Sequence, residues 1–160
     1  MQPETTTELT AEQLQATNDQ DLVEHILSRY HAVHREQLPE LIRLAQTVES
    51  VHASSDNCLQ GLAQELDAHM RKEEMVLFPL ISRGQGAMAA MPINVMRMEH
   101  EEHNAELQRL AALTHDITPP EGACTTWRKL YQGLREFRDD LLAHIDTENN
   151  ILFERFAPTH

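Results

Sequence analysis

The chain reads as an all-α protein, an up-down-up-down four-helix bundle. Three observations carry that expectation. Apolar residues recur at spacings of three and four through four long stretches, the period of a helix with one buried face. Glycine and proline are scarce, at 5 and 7 of 160 residues, and no stretch alternates β-branched with polar residues. The links between the stretches are short, and short links make antiparallel neighbours.

Residues 1–18 are polar and predict a frayed tail or one short helix opened by Thr10-Ala11-Glu12-Gln13, a capping box; residues 19–160 are expected to form the bundle. The first long helix should start at Asn18-Asp19 and bury Leu22, Val23, Ile26, Leu27, Tyr30, Val33, Leu38, Leu41, Ile42, Ala45 and Val48. Pro39 falls inside it, at a cost on the order of 3 kcal/mol, and predicts a kink. Ser54-Ser55-Asp56-Asn57 breaks the pattern and caps a second helix from about Asp56 to Ser82, with Leu59, Leu62, Leu66, Met70, Val76, Leu77 and Leu80 inward. Gly84-Gln85-Gly86 ends it. Pro92 suits the start of a third helix, with Val95, Met96, Met98, Leu107, Leu110 and Leu113, stopped by Pro119-Pro120-Glu121-Gly122. Thr125 or Thr126 caps a fourth, through Trp127, Leu130, Tyr131, Leu134, Phe137, Leu141, Ile145, Ile151, Leu152 and Phe153 to about Phe156.

A formal charge of −13 argues against nucleic acid and anionic membranes as partners. No run of about 18 apolar residues offers a membrane span. The N-terminus lacks the basic and apolar regions of a secretory signal, and Cys58 and Cys124 read as reduced thiols, so a cytoplasmic protein is expected. Ten histidines are the compositional outlier.

Two short stretches organise those histidines. His69-Met70-Arg71-Lys72-Glu73 and His144-Ile145-Asp146-Thr147-Glu148 each place a carboxylate four residues after an imidazole, on one face of a helix. Counting about 1.5 Å of rise per residue from the links puts His31 or His34 of the first helix, and His100 or His103 of the third, at the same depth. His25, His52, His115 and His160 fall at other levels or at the ends. A single His-x-x-x-Glu is a common surface pair. Two such pairs in register with apolar stripes would bury two carboxylates at a cost of several kcal/mol each without compensating charge. A pair of metal ions supplies that charge, with Arg71 and Lys72 directed outward. Imidazole and carboxylate without thiolate suit iron, manganese or zinc, and bridging carboxylates in a bundle favour two non-haem irons.

The chain resembles the haemerythrin-like proteins and, within them, the Repair of Iron Centres family. The resemblance rests on residues 29–41, on His69-Met70-Arg71-Lys72-Glu73-Glu74 with Leu77-Phe78-Pro79, on Met96-Arg97-Met98-Glu99-His100, on Ala123-Cys124-Thr125-Thr126-Trp127, and on residues 144–150 with Leu152-Phe153. It implies His31, His69, His100 and His144 as ligands, with Glu73 and Glu148 bridging two irons that share an oxo or hydroxo bridge and leave a position for O₂ or NO. Two departures stand out. Asn104 occupies the place of a second histidine found on the third helix of oxygen-carrying members. The small N-terminal domain with adjacent cysteines is also expected to be missing, since about 18 residues precede the first long helix.

What the resemblance implies is a protein of nitrosative and oxidative stress defence. It would support the repair of damaged iron–sulfur clusters by releasing iron or handling NO, with damaged or apo iron–sulfur proteins as partners, as a monomer or dimer. The alternatives are an enzyme reducing NO to N₂O and an O₂- or NO-binding carrier or sensor. Glu65, one turn before His69, and Glu99, beside His100, are candidate hydrogen-bond partners of the ligands, as are His34 and His103.

Overall fold

A computed structural model describes residues 9–48 and 53–156, and for 53–57 the backbone alone. Five helical segments follow one another. Helix α1 is Ala11–Gln15, α2 spans 19–48, α3 spans 53–82, α4 is Ala90–Leu113 and α5 spans 125–152, continued by a 3₁₀ turn at Phe153–Phe156. Helices α2 to α5 form the four-helix bundle. Helix α2 packs most extensively on α5, and α3 on α4. No helix is long and apolar enough to cross a membrane among the described residues.

The expected caps explain two of the helix starts. Thr10 and Gln13 close a capping box at 3.2 and 2.8 Å, and Asn18 Oδ1 accepts from the Asp21 amide at 2.8 Å. Arg155 ties α1 to the bundle by donating to Asp19 at 2.9 Å and to the Leu14 carbonyl at 3.2 Å, while Leu14 is buried. Other boundaries differ from expectation. Helix α3 begins at Ala53, so Ser54–Asn57 lie within its first turns instead of before it. Cys124, the last extended residue, holds the cap position of α5 that was expected at Thr125 or Thr126. Helix α4 stops at Leu113, six residues short of Pro119. It is closed by a left-handed turn at His115, Asp116 and Ile117 that folds Ile117 fully into the core.

Helix α2 continues through Pro39, which is exposed. Its irregularity lies earlier. Residues Leu27–His31 of α2, Glu73–Leu77 of α3 and Glu148–Leu152 of α5 each form a π turn. Each turn is closed by a bond to the carbonyl five residues back: Ala32 to Leu27, Phe78 to Glu73, and Phe153 to Glu148. Such a turn holds one residue more than the α-helical turn it replaces, so it advances the buried face by one position. Beyond Glu73 the inward residues are Leu77, Phe78 and Ile81, where an uninterrupted helix would bury Val76 and Leu80. Val76 is accordingly 51 % exposed. On α4 the expected inward set holds at Met96, Leu107 and Leu110 but not at Val95, Met98 and Leu113, which face out, while Ile93 is buried in addition.

The core is divided. One apolar cluster, around Leu38, Leu62, Leu66, Leu110, Leu134 and Phe137, fills one end of the bundle. A second, around Leu22, Ile26, Phe78, Ile93, Leu152 and Phe153, fills the other. Between them lies a layer of buried polar side chains: His31, His34, His69, Glu73, His100, His103, His144 and Glu148, none more than 2 % exposed. Two of the end histidines, His52 and His160, lie outside the described residues.

Candidate metal centre

Each bundle helix points one imidazole of this layer at a common centre, and α3 and α5 each add a carboxylate one turn on. Glu73 Oε1 lies 3.2 Å from His31 Nε2, 3.3 Å from His69 Nε2 and 3.9 Å from His144 Nε2. Glu148 answers from the opposite helix. Its Oε1 is 2.8 Å from His100 Nε2 and 3.9 Å from His69 Nε2, and its Oε2 is 3.2 Å from His144 Nε2. The donors fall into two sets, His31, His144, Glu73 and Glu148, and His69, His100, Glu73 and Glu148. Within each set the ligand atoms lie inside 4.8 Å of one another. Both carboxylates belong to both sets. Two cations could therefore sit side by side, each with two imidazoles of its own and two shared carboxylates. The π turns matter here: Glu73 and Glu148 open theirs and His31 closes its own, so three of the six donors sit where the backbone is re-registered.

Behind the donors every imidazole is oriented. His31 Nδ1 meets Glu74 Oε2 at 2.7 Å, His69 Nδ1 meets Glu99 Oε1 at 2.9 Å, His100 Nδ1 meets Asn149 Oδ1 at 2.8 Å, and His144 Nδ1 meets His34 Nε2 at 3.1 Å. Carboxylate and amide oxygens accept only, so in three of the four rings Nδ1 carries a proton, and the neutral form of each ring presents an Nε2 lone pair inward. That is the tautomer a metal ligand needs. The fourth ring follows the same pattern through a longer chain, His144 to His34 to Gln37 Oε1 at 3.4 Å, then Gln37 Nε2 to Asp140 at 2.8 Å. Arg35 forks onto Glu74 at 2.6 and 2.9 Å, and Lys72 donates to Glu99 at 2.6 Å, so the outer carboxylates are neutralised at the surface. Aromatic rings wall the site: Tyr30 stacks on His144 at 5.2 Å, Phe78 on His31 at 5.6 Å and Phe153 on His100 at 5.8 Å.

The electrostatics of the bare donors ask for a cation. Burial lowers His31 to about 4 and His34 and His103 to about 3, which keeps them neutral. Burial and the charge of Glu148 raise Glu73 well above the carboxylate range. Burial acts the same way on Glu148, but His144, His100 and His69 outweigh it and hold its carboxyl low. Burial would also lower His69, yet Glu73 and Glu148 push it up to about 11. In the metal-free chain protons thus supply the positive charge the carboxylates need. Glu73 Oε2, His144 Nε2 and both oxygens of Glu148 are nonetheless buried without a hydrogen-bond partner. Nitrogen and oxygen atoms that converge in this way, holding protons a cation would displace, fit metal ions.

Of the residues singled out in the sequence, His31, His69, Glu73, His100, His144 and Glu148 are brought together. Glu99 and His34 stand behind two of them. His103 lies edge-on to His69, with ring centroids 5.0 Å apart, outside both donor sets. Glu65 is not at the centre: it is exposed, because the inward stripe of α3 runs through Leu62, Leu66, His69 and Met70 and leaves it at the helix edge. Spacing alone did not single out Glu74, Asn149 or the Gln37–Asp140 extension. The signal for the first two was their position, each directly after a shared carboxylate.

The fold and the cluster define a helical bundle with a buried histidine–carboxylate site for cations. The chain belongs to the hemerythrin family: residues 22–156 match the Hemerythrin HHE cation binding domain. Among similar proteins, "Iron-sulfur cluster repair protein YtfE" of Yersinia pseudotuberculosis is 51% identical over 142 residues, and its namesake from Pectobacterium carotovorum 50%. The "Probable iron-sulfur cluster repair protein" of Haemophilus influenzae is 49% identical. Each match takes in 84% of this chain and 64% of the relative, so the chain spans a little under two-thirds of the length of these proteins.

Proposed function

We propose that the chain binds two non-haem irons, His31 and His144 on one, His69 and His100 on the other, with Glu73 and Glu148 and an oxo or hydroxo group bridging them. In the cytoplasm it serves nitrosative and oxidative stress defence, supporting the repair of damaged iron–sulfur clusters through iron release and NO handling. The observation that carries this reading is the pair of four-donor sets sharing both carboxylates, in a chain half identical to proteins named for cluster repair. The iron pair would supply redox change and a coordination position for NO or O₂. The chain supplies the donors, the acceptors that fix their tautomers, and the two apolar clusters that exclude water. Because its imidazoles and carboxylates all compete for protons, the site gives up metal as they are protonated, which suits release to an acceptor protein.

Iron content is the test. Protein prepared from iron-replete cells without oxygen should carry about two irons per chain, the complement of di-iron carboxylate bundles. Zinc alone, or no metal, would refute the assignment. His69→Ala should then abolish the repair of an NO-damaged iron–sulfur enzyme while leaving the helical content intact. Reduction of NO to N₂O is a second reading, favoured by the adjacency of the two donor sets. Headspace N₂O from the reduced protein separates it from repair alone. A carrier or sensor role would instead show as a stable O₂ adduct that does not autoxidise.

A further inference from the structure

We propose that His103 is the hydrogen-bond donor for a small acceptor ligand taken up at the His69/His100 half of the centre. This rests on the di-iron reading and adds to it which half has a hydrogen bond to give to a ligand and what ligand class would take it: a compact anion or diatomic molecule with a lone pair to offer.

The inference starts from a repeated motif. His31-Ala-Val-His34 on α2 and His100-Glu-Glu-His103 on α4 each place a second imidazole three residues after a ligand, on the same helix face. On α2 the second imidazole is used up. His34 Nε2 meets Nδ1 of His144 at 3.1 Å, and His34 Nδ1 meets Gln37 Oε1 at 3.4 Å. The corresponding place for His103 is behind His69, but Nδ1 of His69 is already held by Glu99 at 2.9 Å. His103 is therefore displaced beside the site. Its ring stands at 80° to His69 with centroids 5.0 Å apart, and 6.4 Å from His100.

There it is 2 % exposed, and its Nδ1 is buried with no hydrogen-bond partner. A buried polar atom left unpaired carries a desolvation penalty that a leucine at the same place would avoid. Nor does His103 act as a metal donor, since it lies outside both sets of converging atoms. A polar group that is buried, unpaired and adjacent to a metal position is placed to bond what the metal binds. Among the described residues the other half has no equivalent, because both nitrogens of His34 are engaged.

Azide is the probe, titrated into the diferric protein with iron content measured on each sample. The original protein, His103→Leu and His103→Gln should all retain their iron. His103→Leu should bind azide about tenfold more weakly, the loss of one hydrogen bond. His103→Gln, which keeps an N–H donor, should recover most of that affinity. The N–N stretch of bound azide should shift between H₂O and D₂O in the original protein and lose that shift in His103→Leu. Unchanged azide affinity in an iron-loaded His103→Leu, or loss of iron from it, overturns the inference. If the leucine variant does not fold, a bound-azide stretch in the original protein that is indifferent to D₂O overturns it as well. Failure of the original protein to take up iron would sink the di-iron reading itself, an outcome distinct from iron retained with azide affinity unaltered.

Discussion

The His31/His144 half and the His69/His100 half of the centre draw on the same chemistry through different wiring. In each, one imidazole is backed by a carboxylate that is itself neutralised at the surface: His31 by Glu74 with Arg35, and His69 by Glu99 with Lys72. In each, the other imidazole is backed by a neutral group: His144 by His34, and His100 by Asn149. The shared carboxylates make the inner donors nearly symmetric, so any inequality between the two positions comes from the groups behind them. On one side a four-residue chain of hydrogen bonds leads from His144 to Asp140, where Arg29 also donates at 2.9 Å. On the other the amide ends the chain at once, and His103 is left unpaired. The charged backing is thus matched between the two halves, while the hydrogen bonding beside them is not.

The largest expected effect falls on the shared groups, where the comparison should collapse. Glu73→Ala or Glu148→Ala removes a donor from both sets and leaves the remaining carboxylate and its imidazoles without their partner. Both irons should be lost, as read by elemental analysis. Single ligand changes should instead separate the halves. His144→Ala should empty only the His31/His144 position and His100→Ala only the other, each lowering iron to about one per chain of the about two expected for a di-iron bundle. If His144→Ala removed both irons, the two positions would fill cooperatively and would not be separable halves.

Much of this was legible in the sequence, for physical reasons that can be named. The His-x-x-x-Glu pairs are local: four residues is one helical turn, so shared direction follows from spacing. Depth follows from helical rise, which brought His31 or His34 and His100 or His103 to the level of Glu73. Spacing could not choose within those pairs, because residues three apart on a helix share a face. The π turns were not legible at all. They add a residue within a continuous helix, and their trace is only that Phe78 and Ile81 are buried where an α-helical count selects Val76 and Leu80. Glu65 and Glu99 show the same limit from the other side. Both are near a ligand in sequence, but Glu99 reaches His69 across a helix interface, whereas Glu65 lies on the outer edge of its own helix.

The groups behind the ligands should sharpen the comparison at lower amplitude. Glu74→Gln and Glu99→Gln remove the anion that polarises one imidazole in each half. Metal affinity at the corresponding position should fall about 10- to 100-fold, measured by competition with a chelator. Equal losses would support the balanced-halves view, and a loss confined to one variant would contradict it. The chelated protein offers a second comparison. His34 and His103, one beside each half, are both lowered by burial to about 3 from an ordinary 6.5. The unfolded chain therefore takes up protons that the folded chain refuses. Stability from these residues is full above pH 6.5 and declines as pH falls from there toward 3. Thermal midpoints of the metal-free protein should drop over that range. His34→Leu and His103→Leu should each flatten the drop, whatever they do to the midpoint at neutral pH.

The smallest effect expected is from Asn149→Asp, which would give His100 the kind of backing Glu74 gives His31. Both residues directly follow a shared carboxylate and accept from a ligand Nδ1 at 2.7 to 2.8 Å. An anion there makes the imidazole a better donor, and on that ground alone the His69/His100 position should bind metal more tightly. Glu74, however, is neutralised by the fork from Arg35, and the new aspartate would have to be desolvated beside His100 without that fork. The two effects oppose, so the gain in metal affinity should stay below about tenfold. Adding an arginine would not mimic Arg35 unless its guanidinium reached the aspartate, so the single variant is the cleaner comparison. A gain well above tenfold in the chelator competition would mean that the amide, and not the unpaired His103, is what distinguishes the two halves.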